Sequence, residues 1–461
     1  MNFDLVIIGS GPGGYVAAIR GSQLGLNVAI VEREALGGIC LNWGCIPTKS
    51  FLRSAEVLKI IESSEKYGIK SELGDVDIRE VVKRSRSIAK KLSSGVEYLL
   101  KKNKVKIFAG EASFKSSTSI KIKSKSNLIQ EISSKNICIA SGGRPRQISG
   151  ISNSSDVWFY KDALQVDMIP KKLLVVGSGA IGVEFASFFA QMGSDVSLLE
   201  SQPNILPNED LDVSNFVERQ FLNRGIKIYK NHSLLSLKEK RGLFEAELKT
   251  EDKTLSLGFE KAILALGIVG NIEDLNLEIV NIECLKGSII VDEYCKTNID
   301  NIYAIGDVAN PPWLAHKASH EGICVAEQVA GMKVHPIKKD RIPACTYCDP
   351  EVASIGLTEK AAIEKGLNFK IGMFPFSANG KALAMGYDNG FIKTIIHKET
   401  GEFLGVHMVG MGVTELIHNY ALAKEAEIIQ ENIENTIFPH PTLSEAIHES
   451  VLKASGREIH I

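Results

Sequence analysis

Leu5-Val6-Ile7-Ile8-Gly9-Ser10-Gly11-Pro12-Gly13-Gly14-Tyr15-Val16-Ala17-Ala18-Ile19-Arg20 reads as strand, glycine turn and helix. An apolar run over residues 3–8 stops at a glycine cluster, and a stretch of helical character follows. Gly9 permits the tight turn, Gly11 lets backbone approach a pyrophosphate, and Gly14 lets helix pack on strand, so that the helix N-terminus faces the phosphates. A second strand, Val28-Ala29-Ile30-Val31, ends in Glu32, where a carboxylate can accept hydrogen bonds from a ribose diol. The complete unit predicts dinucleotide binding.

The pattern recurs. Leu173-Leu174-Val175-Val176 leads to Gly177-Ser178-Gly179-Ala180-Ile181-Gly182, a helix follows at Val183-Glu184-Phe185-Ala186, and Val196-Ser197-Leu198-Leu199 ends in Glu200. In both copies the acid stands 23 residues after the first glycine. Two such units predict two dinucleotide sites. Glu200 favours NAD over NADP, because a carboxylate pairs with a 2′-hydroxyl and repels a 2′-phosphate, and no arginine cluster follows to reverse that choice.

Just after the first unit comes Gly37-Gly38-Ile39-Cys40-Leu41-Asn42-Trp43-Gly44-Cys45-Ile46-Pro47-Thr48-Lys49. Five residues of regular helix turn through about 500°, leaving the two thiols roughly 140° apart and unable to bond without local distortion. Gly44 and Pro47 are the residues expected to supply it. The spacing suggests a disulfide that cycles between oxidised and reduced forms; two buried free thiols are the plain alternative.

The whole chain sets bounds on the function. Its 461 residues suggest about three domains, and 44% hydrophobic with 23% charged residues is ordinary for a globular protein. The 53 basic and 55 acidic residues leave a net charge of −2, so no global field draws nucleic acid or an anionic membrane. Eight cysteines are too few for a disulfide scaffold and suit a catalytic pair in the cytosol. Met1-Asn2-Phe3-Asp4 runs straight into the first strand, with no leader pattern and no transmembrane-length apolar run elsewhere, so a cytoplasmic protein is expected.

Residues 56–103 read as amphipathic helices, with Val81-Val82 and Leu99-Leu100 among their apolar positions. Ser- and Lys-rich alternating segments such as Ser119-Ile120-Lys121-Ile122-Lys123 predict a small antiparallel layer, and Ile137-Cys138-Ile139-Ala140 a buried strand before a Gly-Pro turn at 141–145. Ala262–Gly267 reads as another buried strand, and Asn301–Val308 as a strand whose end presents Asp307. A helix is expected near Trp313–His316; His316 and His320, at i and i+4, have no further ligand nearby and read as helix-surface residues rather than a metal site. From Arg341 onward, short strands and helices near 413–427 and 442–454 suggest an α+β unit. Cys345-Thr346-Tyr347-Cys348 lacks a second half-site and reads as buried strand cysteines. In Phe438-Pro439-His440-Pro441-Thr442-Leu443-Ser444-Glu445, His440 is a candidate base oriented by Glu445.

The stretches Gly9–Glu32, Cys40–Lys49, Gly177–Glu200, Tyr303–Val308, Leu314–Lys317, Pro350–Thr358 and His440–Glu445 together resemble the flavin-dependent pyridine nucleotide–disulfide oxidoreductases, over essentially the whole chain. The resemblance implies an α/β protein with two Rossmann-like dinucleotide-binding domains plus a C-terminal α+β dimerisation domain. The expected divisions are 1–145 and 271–340 for FAD, 146–270 for NAD and 341–461 for dimerisation. It places Gly9, Gly11, Gly14, Glu32, Lys49, Ala112, Gly142, Asp307 and Ala315 at FAD, and Gly177, Gly179, Ala180, Ile181, Gly182, Glu200 and Gly267 at NAD. Lys49 would lie by the flavin with Glu184 as its ion partner, Cys45 would be the flavin-side sulfur, and Cys40 the one exchanging with a dithiol substrate. His440, held by Glu445, would serve the neighbouring subunit of a homodimer.

The implied activity is oxidation of dihydrolipoamide carried on the lipoyl domain of a 2-oxoacid dehydrogenase acyltransferase or on a glycine-cleavage H protein. The alternatives are a sister disulfide reductase using NADPH, against which Glu200 speaks, or a mainly structural subunit of a dehydrogenase assembly. Two departures from the family pattern stand out. Ile39 replaces the usual threonine, and Gly267-Ile268-Val269-Gly270-Asn271 lacks the arginine and proline often found there.

Overall fold

The computed structural model describes residues 1–148, 151, 156–240, 243–250 and 253–461. The β-branched run forms β1 (Asn2–Ile8), Pro12 opens α1 (Pro12–Gln23), and β2 (Val28–Glu32) returns parallel to β1, with Leu5 opposite Val28 and Ile8 opposite Val31. Proline suits the first helical position because its missing N–H has no partner there anyway. Lys106–Ala109 adds outside β2, and Ile129–Ile139 lies on the other side of β1.

Ile129–Ile139 changes partner partway along. Residues 129–133 run antiparallel to Ser119–Lys123, whereas residues 133–139 run parallel to β1. The burial pattern shows why: Ile132 and Ser134 are buried in alternation with exposed neighbours, whereas the last three residues are all buried, the pattern of a strand covered on both faces. The expected antiparallel layer is therefore a hairpin continuing the same sheet. Ile302–Ala304 joins this sheet beside Ile137–Ile139. The strand expected over 301–308 is shorter than its sequence suggests, because Gly306 adopts φ +71° and turns Gly306–Val308 into a 3-10 segment.

A second parallel sheet orders Lys227–Tyr229, Asp195–Leu199, Lys172–Val176, Lys261–Leu264 and Val157–Trp158. An antiparallel trio, Ser233–Lys240, Leu243–Lys249 and Thr254–Phe259, which sequence reading did not anticipate, accompanies it. The helix Ala180–Gln191 is buried on nearly every face, including Val183, Phe185, Phe188 and Phe189. It packs on the helix carrying Lys49, the Phe188 and Phe51 rings lying 4.9 Å apart.

The C-terminal sheet is antiparallel, with Ala344–Thr346, Val352–Gly356, Phe403–Val409, Phe391–His397 and Phe369–Pro375 in that order. Val413–Glu425 and Glu445–Lys453 are the two expected helices, and a short Gln430–Glu434 helix between them was not foreseen.

Between the first unit and the second sheet lie α2 (Gly38–Trp43), α3 (Cys45–Glu62) and α4 (Ile78–Lys102). In α4, Leu100 is buried while Leu99 is exposed, as the 100° step between neighbours on a helix requires. Among the described residues no helix is long and apolar enough to cross a membrane.

Candidate redox site

Cys40 and Cys45 are joined in a disulfide with their Cα atoms 4.7 Å apart. The angular conflict of a continuous helix is removed by ending it. Gly44, at φ −136° and ψ −112°, separates α2 from α3, so Cys40 lies inside one short helix and Cys45 opens the next. Pro47 does not share this task. It sits at the third position of α3, within the first turn, where a missing N–H breaks no helical bond. A thiolate at Cys45 would face the positive end of an 18-residue helix, which favours the charged form.

The disulfide is seated against the first glycine loop. Gly37 donates its N–H to the Ser10 carbonyl at 3.0 Å, and a Cβ on Gly38 would fall 2.6 Å from Gly11 Cα. Nothing larger than glycine permits that approach.

One turn beyond Cys45, Lys49 Nζ donates to both oxygens of Glu184, at 2.9 and 3.0 Å. Glu184 is buried in the helix Ala180–Gln191, so the second nucleotide unit supplies the counter-ion to a lysine of the first. Glu184 Oε1 also accepts the Tyr347 backbone N–H at 2.9 Å, and the Tyr347 ring centroid lies 4.4 Å from Lys49 Nζ.

The two glycine loops match in geometry. A Cβ on Gly14 would meet Gly9 O at 2.0 Å, and one on Gly182 would meet Gly177 O at 1.8 Å, while Gly9 and Gly177 hold φ of +103° and +99°. Gly11 and Gly179 instead face open space, with nothing within 4 Å of an added Cβ. Helix N-termini follow both loops, at Pro12 and Ala180, with Ile181 and Gly182 in the first turn of the second. Each loop thus presents backbone N–H groups to an uncrowded space fit for a pyrophosphate.

Glu32 Oε2 accepts from Ser10 N at 2.9 Å and Ser10 Oγ at 2.6 Å, and Glu200 Oε2 from Ser178 N at 3.0 Å and Ser178 Oγ at 2.5 Å. The serine between the glycines therefore aims the acid at the loop in both copies. Both sites fit the dinucleotides expected of them.

Asp307, on the turn after Ile302–Ala304, lies beside a buried pair. Lys317 Nζ is 2.5 Å from Glu321 Oε1 and donates to the Asn310 carbonyl at 2.9 Å, while Glu321 Oε2 accepts the Gly306 N–H at 2.8 Å. Desolvation pushes the Asp307 carboxyl up to about 6; the Lys317 ammonium pulls it down and Glu321 adds to the rise. Ala315 is the first residue of the helix Ala315–Val329, which crosses α1 so closely that a Cβ on Gly322 would meet Gly13 O at 2.4 Å. Gly142 holds φ +71° and gives its carbonyl to Asn271 N at 2.9 Å, and Gly267, at φ +86°, gives its own to Arg146 N at 3.0 Å. The Ala112 side chain packs in the core with Phe114 and Ile122, so only its backbone is left to meet a ligand.

His440 Nδ1 lies 2.9 Å from Glu445 Oε1, and Glu445 Oε2 accepts the Thr442 N–H at 2.8 Å. Burial draws the Glu445 carboxyl upward, but the bonds from Thr442 and His440 outweigh it and leave it below the usual range. The His440 side chain is 78% exposed. Cys345 and Cys348 are free thiols, half-buried and buried, and both are pushed upward by desolvation. Cys138 is core, and the exposed His316 donates its Nε2–H to the Pro343 carbonyl at 2.8 Å.

Sequence reading missed the brace that α4 lays along the disulfide helices. Arg86 bonds the Asn42 carbonyl and stacks 4.1 Å from the Trp43 ring centroid, Arg84 reaches Ser50 Oγ at 2.7 Å, and Ser93 Oγ donates to Leu36 O at 2.8 Å. The available signal was Arg84 and Arg86, two residues apart in a helix rich in lysine, since a guanidinium stacks on aromatic faces and a lysine does so less well. Tyr347 was missed as well, because its two partners are remote in sequence.

The family described as pyridine nucleotide-disulphide oxidoreductase matches residues 3–322, and its dimerisation domain matches residues 342–451. Dihydrolipoyl dehydrogenase of Zymomonas mobilis is 49% identical, covering 100% of this chain and 99% of the relative. Those of Rhizobium etli and Bacillus subtilis are 47% and 39% identical, covering 100% and 99% of this chain and 99% of each relative. Among solved structures, LpdA from Mycobacterium tuberculosis superposes with a TM-score of 0.91 at 25% identity, covering 97% of this chain and 99% of that one. The HOCl-induced flavoprotein disulfide reductase RclA from Escherichia coli superposes with a TM-score of 0.86 at 25% identity, with the same coverage.

Proposed function

The chain belongs to the pyridine nucleotide-disulphide oxidoreductase family, and on that premise we propose that it is a dihydrolipoyl dehydrogenase, oxidising protein-bound dihydrolipoamide to lipoamide and reducing NAD. The observation that carries the chemistry is the Cys40–Cys45 disulfide across a helix break, one turn from a lysine paired with a buried glutamate. The dihydrolipoyl substrate class rests on relatives of that activity, up to 49% identical over the full chain.

Gly9, Gly11, Gly14 and Glu32 would hold the ADP half of FAD, with Gly142, Asp307, Ala315 and the Ala112 backbone along the remainder. Gly177, Gly179, Ala180, Ile181, Gly182, Glu200 and Gly267 would hold NAD. FAD supplies a two-electron carrier between the dithiol and the nicotinamide. At the disulfide, a substrate thiolate attacks Cys40 Sγ, the Cys40–Cys45 bond breaks, and Cys45 leaves as a thiolate at the N-terminus of α3. The second substrate thiolate then attacks the substrate sulfur joined to Cys40. Lipoamide closes and Cys40 leaves as the second thiolate. His440 takes one substrate thiol proton at a time at Nε2, since Glu445 occupies Nδ1, and passes the first to water before it accepts the second, the carboxylate stabilising the imidazolium each time. Glu184 holds the Lys49 ammonium in place one turn from Cys45.

The exposure of His440 and the match of the C-terminal unit to a dimerisation domain support a homodimer in which it completes the partner's site. The same reading keeps the unit divisions 1–145, 146–270, 271–340 and 341–461, a cytoplasmic setting, and lipoyl domains of a 2-oxoacid dehydrogenase or the glycine-cleavage H protein as partners.

An anaerobic titration of the flavin-loaded protein with dihydrolipoamide, then NAD, tests the proposal. The expected result is a long-wavelength thiolate-to-flavin absorbance band after about two electrons, discharged by NAD with NADH formed. A flavin unchanged by dihydrolipoamide but reduced by NADPH would overturn both the substrate and the cofactor assignment.

A further inference from the structure

Lys49 is held at two points, and only one of them is a charge. Its Nζ reaches both Glu184 oxygens, yet a carboxylate alone leaves a four-carbon ammonium free to swing about the contact, and 32% of the Lys49 side chain is exposed. The second point is the Tyr347 ring, 4.4 Å from Nζ, within the range where an aromatic face attracts a cation. The same residue donates its backbone N–H to Glu184 Oε1 at 2.9 Å.

The segment that carries the ring is itself pinned. Asp349 N donates to Ser187 Oγ at 3.0 Å, and the Asp349 carboxylate is bridged by Lys59 of α3 and by Arg224 after the helix Leu211–Asn223. Desolvation pushes the Tyr347 phenol up to about 12, with the Cys345 thiol and the carboxylates Glu415, Glu184 and Glu351 adding to the rise. The ring therefore stays neutral through the working range.

We propose that Tyr347 is a positioning residue for the dithiol-to-NAD reaction: its ring clamps the Lys49 ammonium on Glu184, so the C-terminal unit sets where the lysine's charge stands relative to Cys45 and the flavin. The inference rests on the functional reading above. It predicts that the aromatic face matters and the hydroxyl does not.

The test compares wild type, Tyr347→Phe and Tyr347→Leu as flavin-loaded proteins. The first readout is the rate of reductive methylation of Lys49, mapped by peptide mass. The second is the thiolate-to-flavin band after anaerobic dihydrolipoamide. Tyr347→Leu is expected to raise the Lys49 labelling rate about fivefold, the scale of one partly exposed cation–π contact, and to weaken the band while leaving KM for NAD unchanged. Tyr347→Phe is expected to match wild type in both. A leucine variant unchanged in either readout, or a phenylalanine variant that behaves like leucine, overturns the clamp. Absence of the band in wild type instead overturns the functional reading and leaves the labelling comparison to decide the geometry alone.

Discussion

Replacing Lys393 with methionine is expected to cost about 3 kcal/mol of stability. Lys393 lies in the strand Phe391–His397, and its Nζ sits 2.8 Å from Asp210 Oδ1, 2.6 Å from Asp212 Oδ2 and 2.6 Å from Glu359 Oε2. Asp210 caps the helix Leu211–Asn223, so one ammonium ties that helix to the C-terminal sheet. On its removal Asp212 and Glu359, with side chains 47% and 38% exposed, can turn to water. Asp210, 2% exposed, cannot.

Stranding one buried charge costs about 3–5 kcal/mol. Asp210 keeps the N–H groups of Asp212 and Glu359, at 3.1 and 3.0 Å, which sets the expectation at the lower end. Adding Asp210→Asn to the methionine variant removes the stranded charge and is expected to restore about 2 kcal/mol.

The pH dependence has a definite sign. Burial raises the Asp210 carboxyl, but the Lys393 ammonium and the Glu359 N–H outweigh it and hold it below the usual range. Its contribution is therefore present above the unfolded carboxylate value and is lost as pH falls through the folded one. The gap between wild type and Lys393→Met should be full at neutral pH and narrow below about pH 4. Equilibrium urea unfolding of the flavin-loaded proteins, repeated across that range, measures it. A loss under about 1 kcal/mol at neutral pH, or no recovery with Asp210→Asn, refutes the reasoning.

Glu209 offers the opposite sign: burial pushes its carboxyl up to about 7, with the Ser354 hydroxyl pulling it back, and its Oε2 is buried with no hydrogen-bond partner among the described residues. Stability is lost as pH rises through that value, so Glu209→Gln should gain on wild type between pH 5 and 8, by about 2 kcal/mol at the upper end; a pH-independent difference in melting temperature speaks against it. Gly14→Ala, whose Cβ would stand 2.0 Å from Gly9 O, should destabilise the fold by about 3 kcal/mol or more. Gly11→Ala, facing open space, should keep the apoprotein's melting temperature and lose flavin affinity, read from bound absorbance. If His440 serves the partner's disulfide, co-refolding equal amounts of inactive Cys45→Ser and His440→Gln chains regenerates one intact site in each mixed dimer, about a quarter of wild-type activity. No regained activity would mean that the histidine serves its own subunit.

The parts legible in the sequence share a property: their chemistry is contiguous. A glycine at φ +103° or +99° followed by helix and, 23 residues on, an acid leaves a local imprint, because only glycine takes that backbone without strain. Gly44 between the cysteines and the pair His440–Glu445 are legible for the same reason, each lying within one short stretch. Pro47 was misread as a source of distortion because its effect depends on which helical position it occupies, and that was settled by where α3 begins.

The remainder was decided by contacts between distant segments, which no period or spacing records. Ile129–Ile139 switches partners because its far half is covered on both faces by elements from elsewhere in the chain. Family resemblance, not residue pattern, suggested Glu184 for Lys49, 135 residues away, and nothing marked Tyr347 beforehand. Backbone requirements and adjacent motifs are written locally, so the sequence alone determined the two nucleotide units and the reactive cysteines. A side chain's charge neighbours depend on how the units dock, so only the tertiary structure decided what holds Lys49, what braces the disulfide helices and how exposed His440 is.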